Sequence, residues 1–455
     1  MALAISSLLG SARASTPSSD LAVLSEEFWQ GTLESNPTWA TSVGDPRYDD
    51  RLPDISPAGV ARETERLQGV LARARAIPET LAGADGLTRT ALITEVENQL
   101  AQISCGFEEW VVDPLGGPQV MLMSLSDYTI IETPKNAAKF VKRIQASALY
   151  FDTHIANLDS GLRKGRVASR DAVRKTIEQL ERLAKTPEES LAVWKPASVA
   201  RPAWTSADRE RLAKDLHAAI TTALRPALAR YHAFLTTKVL PASRPPEKAG
   251  LASLPGGIDC YRSMIRVHTS LDLDPHELHQ IGLSEVAKFR HDLAELGRSV
   301  LGTSDISEIQ RILRKSPEMH FKTSAEVELK ARETLARAQA AVPRWFGRVQ
   351  PKATCEVKVM GMYEAPYSTI AYYRQPSADG RRPGTYMINT YLPETRPRYE
   401  AEALAFHESV PGHHLQIAVA QELTDVPEFR KHVGVTAFVE GWGLYAERLS
   451  DEMGL

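Results

Sequence analysis

Apolar residues recur at spacings of three and four through most of the chain, and that period predicts amphipathic helices packed on one another. The clearest runs are "DLAVLSEEFWQGTLES" (20–35), "ETERLQGVLARARAI" (63–77), "RDAVRKTIEQLERLAKT" (170–186), "ADRERLAKDLHAAITTALRPALARYHAFLTTKVL" (207–240) and "AEVELKARETLARAQAAVPRWFGRV" (325–349). Ala, Leu, Glu, Lys and Arg, all good helix formers, fill their outer faces. Proline and glycine punctuate the pattern at "KPASVARPAW" (195–204) and "LPASRPPEKAGLASLPGG" (240–257), where a lost donor and a freed backbone end helices. The second break is read as a boundary between a helical lobe, 21–245, and a second lobe, 246–455. Residues 354–392 are rich in Val, Tyr, Thr and Ile between Gly- and Pro-containing turns, so a small β-sheet is expected there. The fold class is mainly α, a large two-lobed chain with a small sheet.

Length supports this reading, because 455 residues exceed what one small core needs and suffice to enclose a deep cleft. The formal net charge is −3, with both signs mixed along the chain, so no footprint for nucleic acid or an anionic membrane surface is present. No stretch approaches the ~18 to 20 uninterrupted apolar residues of a membrane span. Three cysteines far apart, Cys105, Cys260 and Cys355, argue against a disulfide framework or a cysteine-built zinc site and are read as buried small hydrophobes. Residues 1–20 hold a short apolar run that ends in Ala12-Arg13-Ala14 but lacks a basic leading segment. They are either the remnant of a signal peptide, with a periplasmic or secreted product, or a frayed, disordered start to a cytoplasmic protein. Nothing in the sequence fixes the oligomeric state.

The candidate chemistry lies in "HESVPGHH", 407–414, which begins like H-E-x-x-H, two histidines on one helical turn that hold zinc with a glutamate between them. In a straight helix His407 and His413 would point about 240° apart, and His407 and His414 would be separated by about 10 Å along the axis. Pro411-Gly412 forbids a straight helix, since proline deletes a hydrogen bond and glycine permits the bulge that follows. With those two residues looped out, His413 takes the place of the second ligand. The competing reading is a surface His-Glu pair and a histidine doublet that caps carbonyls. A third ligand is offered by "TAFVEGWGLYAERL" (436–449), where Glu440 and Glu447 share one helical face. An unpaired carboxylate among aromatic side chains is costly. Two histidines, a glutamate and an open position make the ligand set of hydrolytic zinc.

"HESVPGHHLQ" followed by "FVEGWGLYAE" resembles the bacterial domain-of-unknown-function family numbered 885, and through it the thermolysin-like zinc peptidases, the gluzincins. Further matches in order are "SNPTWATSVGDPRYDDRLPD" (35–54), "GLASLPGGIDCYRSMIRVHTSLDLDPHELHQIGLSEV" (250–286) and "YYRQPSADGRRPGTYMINTY" (372–391). The resemblance implies a zincin-like fold with the sheet beside the active helix. It favours His413 over His414, whose position takes an aromatic residue in that family, and Glu440 over Glu447, because a glutamate shortly before a tryptophan is the third ligand in thimet-oligopeptidase-like enzymes. Against that family's usual extent the chain is expected to be truncated at Leu455.

The function expected is a zinc-dependent peptidase holding one zinc ion with His407, His413 and Glu440, Glu408 acting as general base towards water. His414 and Glu447 are expected around the ligands or as alternative ligands. Tyr367, Tyr372, Tyr373, Tyr386 and Tyr445 are candidates to stabilise the oxyanion, and Asn389 belongs to "TYMINTY" (385–391), which resembles the edge strand that pairs with peptide substrate in gluzincins. Two alternatives stay open: a metal-dependent hydrolase of another amide or ester, and a helical binding protein with a vestigial zinc site.

Overall fold

A computed structural model describes residues 16–347 and 349–455; most of the segment read as a signal remnant, 1–15, lies outside them. The first core is built by α1 (Pro17–Ser35), α2 (Pro37–Val43), α3 (Pro57–Ala76) and α4 (Gly83–Ser104). Thr16 starts α1 with a capping box, its hydroxyl accepting from Ser19 N–H at 3.2 Å while the Ser19 hydroxyl closes the reverse contact, so two orphan amides of the first turn are satisfied. The apolar stripe foreseen on α1 is buried through Leu21, Leu24, Phe28 and Leu33 against Leu67 of α3 and Leu92 of α4.

The second core holds α5 (Pro118–Tyr128), α6 (Pro134–Gln145), α7 (Ser147–Arg163), α8 (Arg170–Lys185), α9 (Lys195–Ser198), α10 (Ser206–Ala219), α11 (Arg225–Phe234) and α12 (Leu240–Ala242). Residues Ile220–Leu224 and Leu235–Val239 are π-helical, so 206–242 runs on as one long helix, each extra residue accommodating a shift in its buried stripe. Phe140, Phe151 and Tyr231 fill the centre.

Beyond the proline-rich break come α13 (Gly257–Thr269), α14 (Pro275–Val300), α15 (Ile306–Lys315) and α16 (Ser324–Phe346). A three-stranded sheet follows, β1 (Cys355–Val359), β2 (Ala371–Arg374) and β3 (Gly384–Ile388), in spatial order β1-β3-β2. β1 and β3 are parallel with Val357 opposite Tyr386, and β2 and β3 are antiparallel with Tyr373 opposite Tyr386. The chain closes with α17 (Ala401–Glu408), α18 (His413–Gln421), α19 (Glu428–His432) and α20 (Thr436–Glu452). One face of the sheet packs Val357, Tyr386 and Ile388 on Leu335 and Val342 of α16 and Phe406 of α17, a third core that fixes the floor beneath the candidate site.

The chain is mainly helical with a small sheet, as the pattern implies. Two expectations change. β3, the strand within 385–391, is central rather than an edge, and all five of its residues are buried; a strand covered on both faces carries an unbroken apolar run in place of alternation. Cys105 and Cys260 are joined in a disulfide although 155 residues apart, because α13 packs on the end of α4, a contact sequence distance conceals; Cys355 is free and buried. The break at 240–257 lies between the second and third cores, and its two sides are tied together by that disulfide and by Phe429 of α19, fully buried in the first core.

Candidate metal centre

α17 stops at Glu408 and α18 begins at His413, and between them the backbone leaves helical geometry at Ser409 and Gly412. The Val410–Pro411 peptide is cis. Gly412 N–H donates to the Phe406 carbonyl at 2.9 Å and His414 N–H to that of Ser409 at 3.0 Å, closing the loop on itself. Only glycine fits at 412: a Cβ there would lie 1.9 Å from the His407 carbonyl oxygen. The Trp442 indole N–H donates to the carbonyls of Pro411 at 2.9 Å and Gly412 at 3.2 Å, tying the loop to α20. The looped-out residues thereby turn His413 back towards His407, with ring centroids 4.6 Å apart.

Glu440, exposed over half its side chain, reaches the same point from α20: its Oε2 is 3.4 Å from His407 Nε2 and 3.7 Å from His413 Nε2. One ligand atom from each of the three lies within 4.8 Å of the others. His407 Nδ1 is 2.8 Å from Glu447 Oε1, which can only accept, so a neutral ring held there carries its proton on Nδ1 and turns a bare Nε2 to the cluster. Burial, then the His407 charge, holds the His413 imidazole below the usual histidine range against the pull of Glu440, so it stays neutral, the form that ligates. Its Nδ1 is buried without a well-formed hydrogen bond, beside the equally unpartnered Gln416 carbonyl oxygen.

Glu408 is buried at 9 % exposure. Burial pushes its carboxyl up to about 7, opposed by the His407 charge and the Tyr373 backbone N–H and assisted by Glu440 and Glu447. β2 is an edge strand bonded to β3 on its other side, so the amide that meets Glu408 points off the open edge. An unpaired strand edge therefore borders the three converging side chains.

The remaining sequence candidates separate. His414 is drawn away from the cluster: its Nδ1 is 2.9 Å from the Tyr373 hydroxyl and its Nε2 3.0 Å from the Ala353 carbonyl. A neutral imidazole donating from Nε2 and accepting at Nδ1 satisfies both partners and leaves no nitrogen for an ion, so the alternative-ligand reading of His414 is corrected. The Tyr372 hydroxyl lies on the opposite sheet face, donating to Glu364 at 3.1 Å and accepting from Arg374 at 2.8 Å; strand alternation separates it from Tyr373. Asn389 is buried and spends its amide on the carbonyls of Ala365 at 2.7 Å and Thr369 at 3.0 Å, a structural role in place of substrate contact. Tyr386 is a core residue under Glu408. Tyr367 packs beneath Arg182 of α8. Tyr445 stands exposed on α20 against Trp442. Tyr373 comes nearest, its ring 6.5 Å from that of His413.

Two glycines escaped the sequence reading, as did the task of Trp442, met there only as the tryptophan that follows Glu440. Gly443 lets α20 approach: a Cβ on it would fall 2.5 Å from His407 Cε1. Gly384 does the same for His414 Nδ1, also at 2.5 Å, and Trp442 pins the loop. The signal for Gly443 was there, since a glycine inside a helix costs about 1 kcal/mol against alanine and is kept where something approaches closely.

The site falls within residues 37–455, and over those residues the chain matches the family described as "Bacterial protein of unknown function (DUF885)". The chain belongs to the DUF885 family. None of the curated proteins compared matches it in sequence. Among solved structures, this DUF885 chain is similar to a "putative lipoprotein" from Colwellia psychrerythraea, with a TM-score of 0.83 and 20 % identity over 97 % of this chain and 79 % of that one. A second, described as "a putative lipoprotein of unknown function" from Shewanella oneidensis, aligns with a TM-score of 0.62 and 14 % identity over 97 % of this chain and 78 % of that one. At these identities the likeness is one of fold.

The geometry sets an expectation for the DUF885 site. Glu447→Gln keeps the shape of the side chain but weakens its hold on the His407 proton, so zinc affinity measured by competition with a chromogenic chelator is expected to fall about 10- to 100-fold. An unchanged affinity would remove Glu447 from the site.

Proposed function

We propose that this chain is a zinc-dependent peptidase. The observation that carries the reading is the convergence of His407 Nε2, His413 Nε2 and the Glu440 carboxylate, with Glu447 behind one ligand and Glu408 beside them. The donor set fits the ion. Ligand atoms bound at 2.0–2.1 Å in a tetrahedron are ~3.3 Å apart, against 3.4 and 3.7 Å for the two Glu440 contacts. The exposed side of Glu440 leaves room for a fourth position.

A zinc ion bound there supplies Lewis acidity, polarising a carbonyl and making water more acidic. The chain does the rest. The open edge of β2 orients an extended peptide by backbone pairing. Glu408 takes a proton from the attacking water and returns it to the leaving amine, so that peptide and water become acid and amine with no proton left over. Glu447 keeps the His407 proton at Nδ1. The Cys105–Cys260 bond supports action outside the cytoplasm, since disulfides persist in oxidising compartments. The description shared by the two structural neighbours points the same way.

The test is turnover. Dialysis against a chelator is expected to abolish hydrolysis of a mixed peptide library followed by mass spectrometry, and one equivalent of zinc to restore it. A library left intact by zinc-loaded protein would contradict the reading.

A further inference from the structure

The first core does not close completely. Between α1, α2, α4, α13 and α19 lies a cavity of about 600 Å³, in the range that holds small ligands. Its wall is an aromatic box: Trp29 stacks on His432 at 4.9 Å, and Trp39 meets both edge-on, 5.3 Å from Trp29 and 6.1 Å from His432. His432 is neutral, burial holding it down at about 4, and its buried Nδ1 has no hydrogen-bond partner.

Two carboxylates line the cavity. Glu63 is paired with Arg66 at 2.7 Å. Glu95 is not paired with any cation among the described residues; its contact is the neutral Gln99 carboxamide at 2.7 Å. No lysine or arginine is among the described residues that line the space. Burial raises the Glu95 carboxyl above its ordinary range, against the Gln99 hydrogen bond, a cost that a bound cation offsets. Aromatic faces, an unpaired carboxylate and an orphan imidazole nitrogen together suit an organic ammonium.

The cavity and the candidate metal centre share α20. Thr436, at the start of α20, lines it and meets His268 Nδ1 at 2.8 Å. Glu440 follows on the same helix face one turn later, about 6 Å along the axis. An extended peptide advances about 3.3 Å per residue, so that rise along α20 corresponds to about two residues of peptide.

We infer that this cavity is a specificity pocket for a positively charged ammonium of the substrate peptide, seated against Glu95 within the Trp29, Trp39 and His432 box. The inference rests on the peptidase reading for its role in turnover, but not for binding. The ammonium comes from a lysine side chain or from the free amino terminus, which chemistry alone does not distinguish.

The test uses the full zinc-loaded chain and alanine pentapeptides carrying lysine or norleucine at each position in turn, each with a free or an acetylated amino terminus. A peptide presenting its ammonium at the right distance is expected to have a kcat/KM at least about tenfold above its uncharged counterpart, the order that a charge-assisted contact supplies. Whether acetylation or norleucine removes the gain identifies the source. Glu95→Gln is expected to bring the ratio within about twofold while cleavage of the uncharged peptide is kept, which also shows that the variant folds. In parallel, ligand-observed NMR follows N-α-acetyl-lysine amide, or alanine amide with its free amine, on metal-free protein and on Glu95→Gln. Glu95-dependent binding with no peptide cleaved would leave the pocket standing and overturn the peptidase reading. Cleavage without charge preference, and neither amine bound, would overturn the pocket and leave the peptidase standing.

Discussion

Glu408→Gln is expected to keep its zinc and lose its activity. The amide has the shape of the acid and removes no ligand, so near-stoichiometric metal and an unchanged circular dichroism spectrum are expected. Glu408 sits beside His407 at the buried end of α17, facing the open edge of β2, where it can take a proton from water and deliver it to an amine. An amide can do neither, and hydrolysis of a short peptide is expected to fall by ~10²-fold or more, the contribution typical of general-base catalysis. Loss of zinc in this variant would make Glu408 a ligand; undiminished hydrolysis would place the base elsewhere.

The neighbouring histidines are expected to divide cleanly. His413→Ala removes one of three convergent donors, and Glu440→Gln exchanges the only carboxylate among them, so either is expected to abolish stoichiometric zinc binding in equilibrium dialysis. His414→Ala is expected to retain the ion but lose stability. It removes the partner of the half-buried Tyr373 hydroxyl and of the half-buried Ala353 carbonyl, at about 1 kcal/mol for each lost hydrogen bond, read as a lower denaturant midpoint. The opposite division, with zinc lost from the His414 variant alone, would exchange the roles of the two histidines.

How much of this was legible in the sequence depended on whether the signal was local. The break between His407 and His413 was readable because proline and glycine dictate backbone geometry by themselves. The shared face of Glu440 and Glu447 was readable because helical period is local too; which histidine Glu447 meets, His407 at 2.8 Å, was not. The Cys105–Cys260 bond, the central place of β3 and the tasks of Asn389 and Tyr372 were hidden, since each depends on which distant segment packs alongside. Tyr372 and Tyr373 are adjacent in the chain, yet the sheet sends one to Glu364 and the other to His414. Gly443 was legible only as an oddity, a helical glycine whose reason is the His407 ring across the interface.

The central claim is that His407, His413 and Glu440 hold one divalent ion, and the most direct measurement is anomalous X-ray diffraction across the zinc edge from crystals grown with zinc. The expected result is one strong peak, 2.0–2.2 Å from both Nε2 atoms and a Glu440 oxygen. Zinc bound elsewhere, with no peak among these three side chains at saturating metal, would contradict the account.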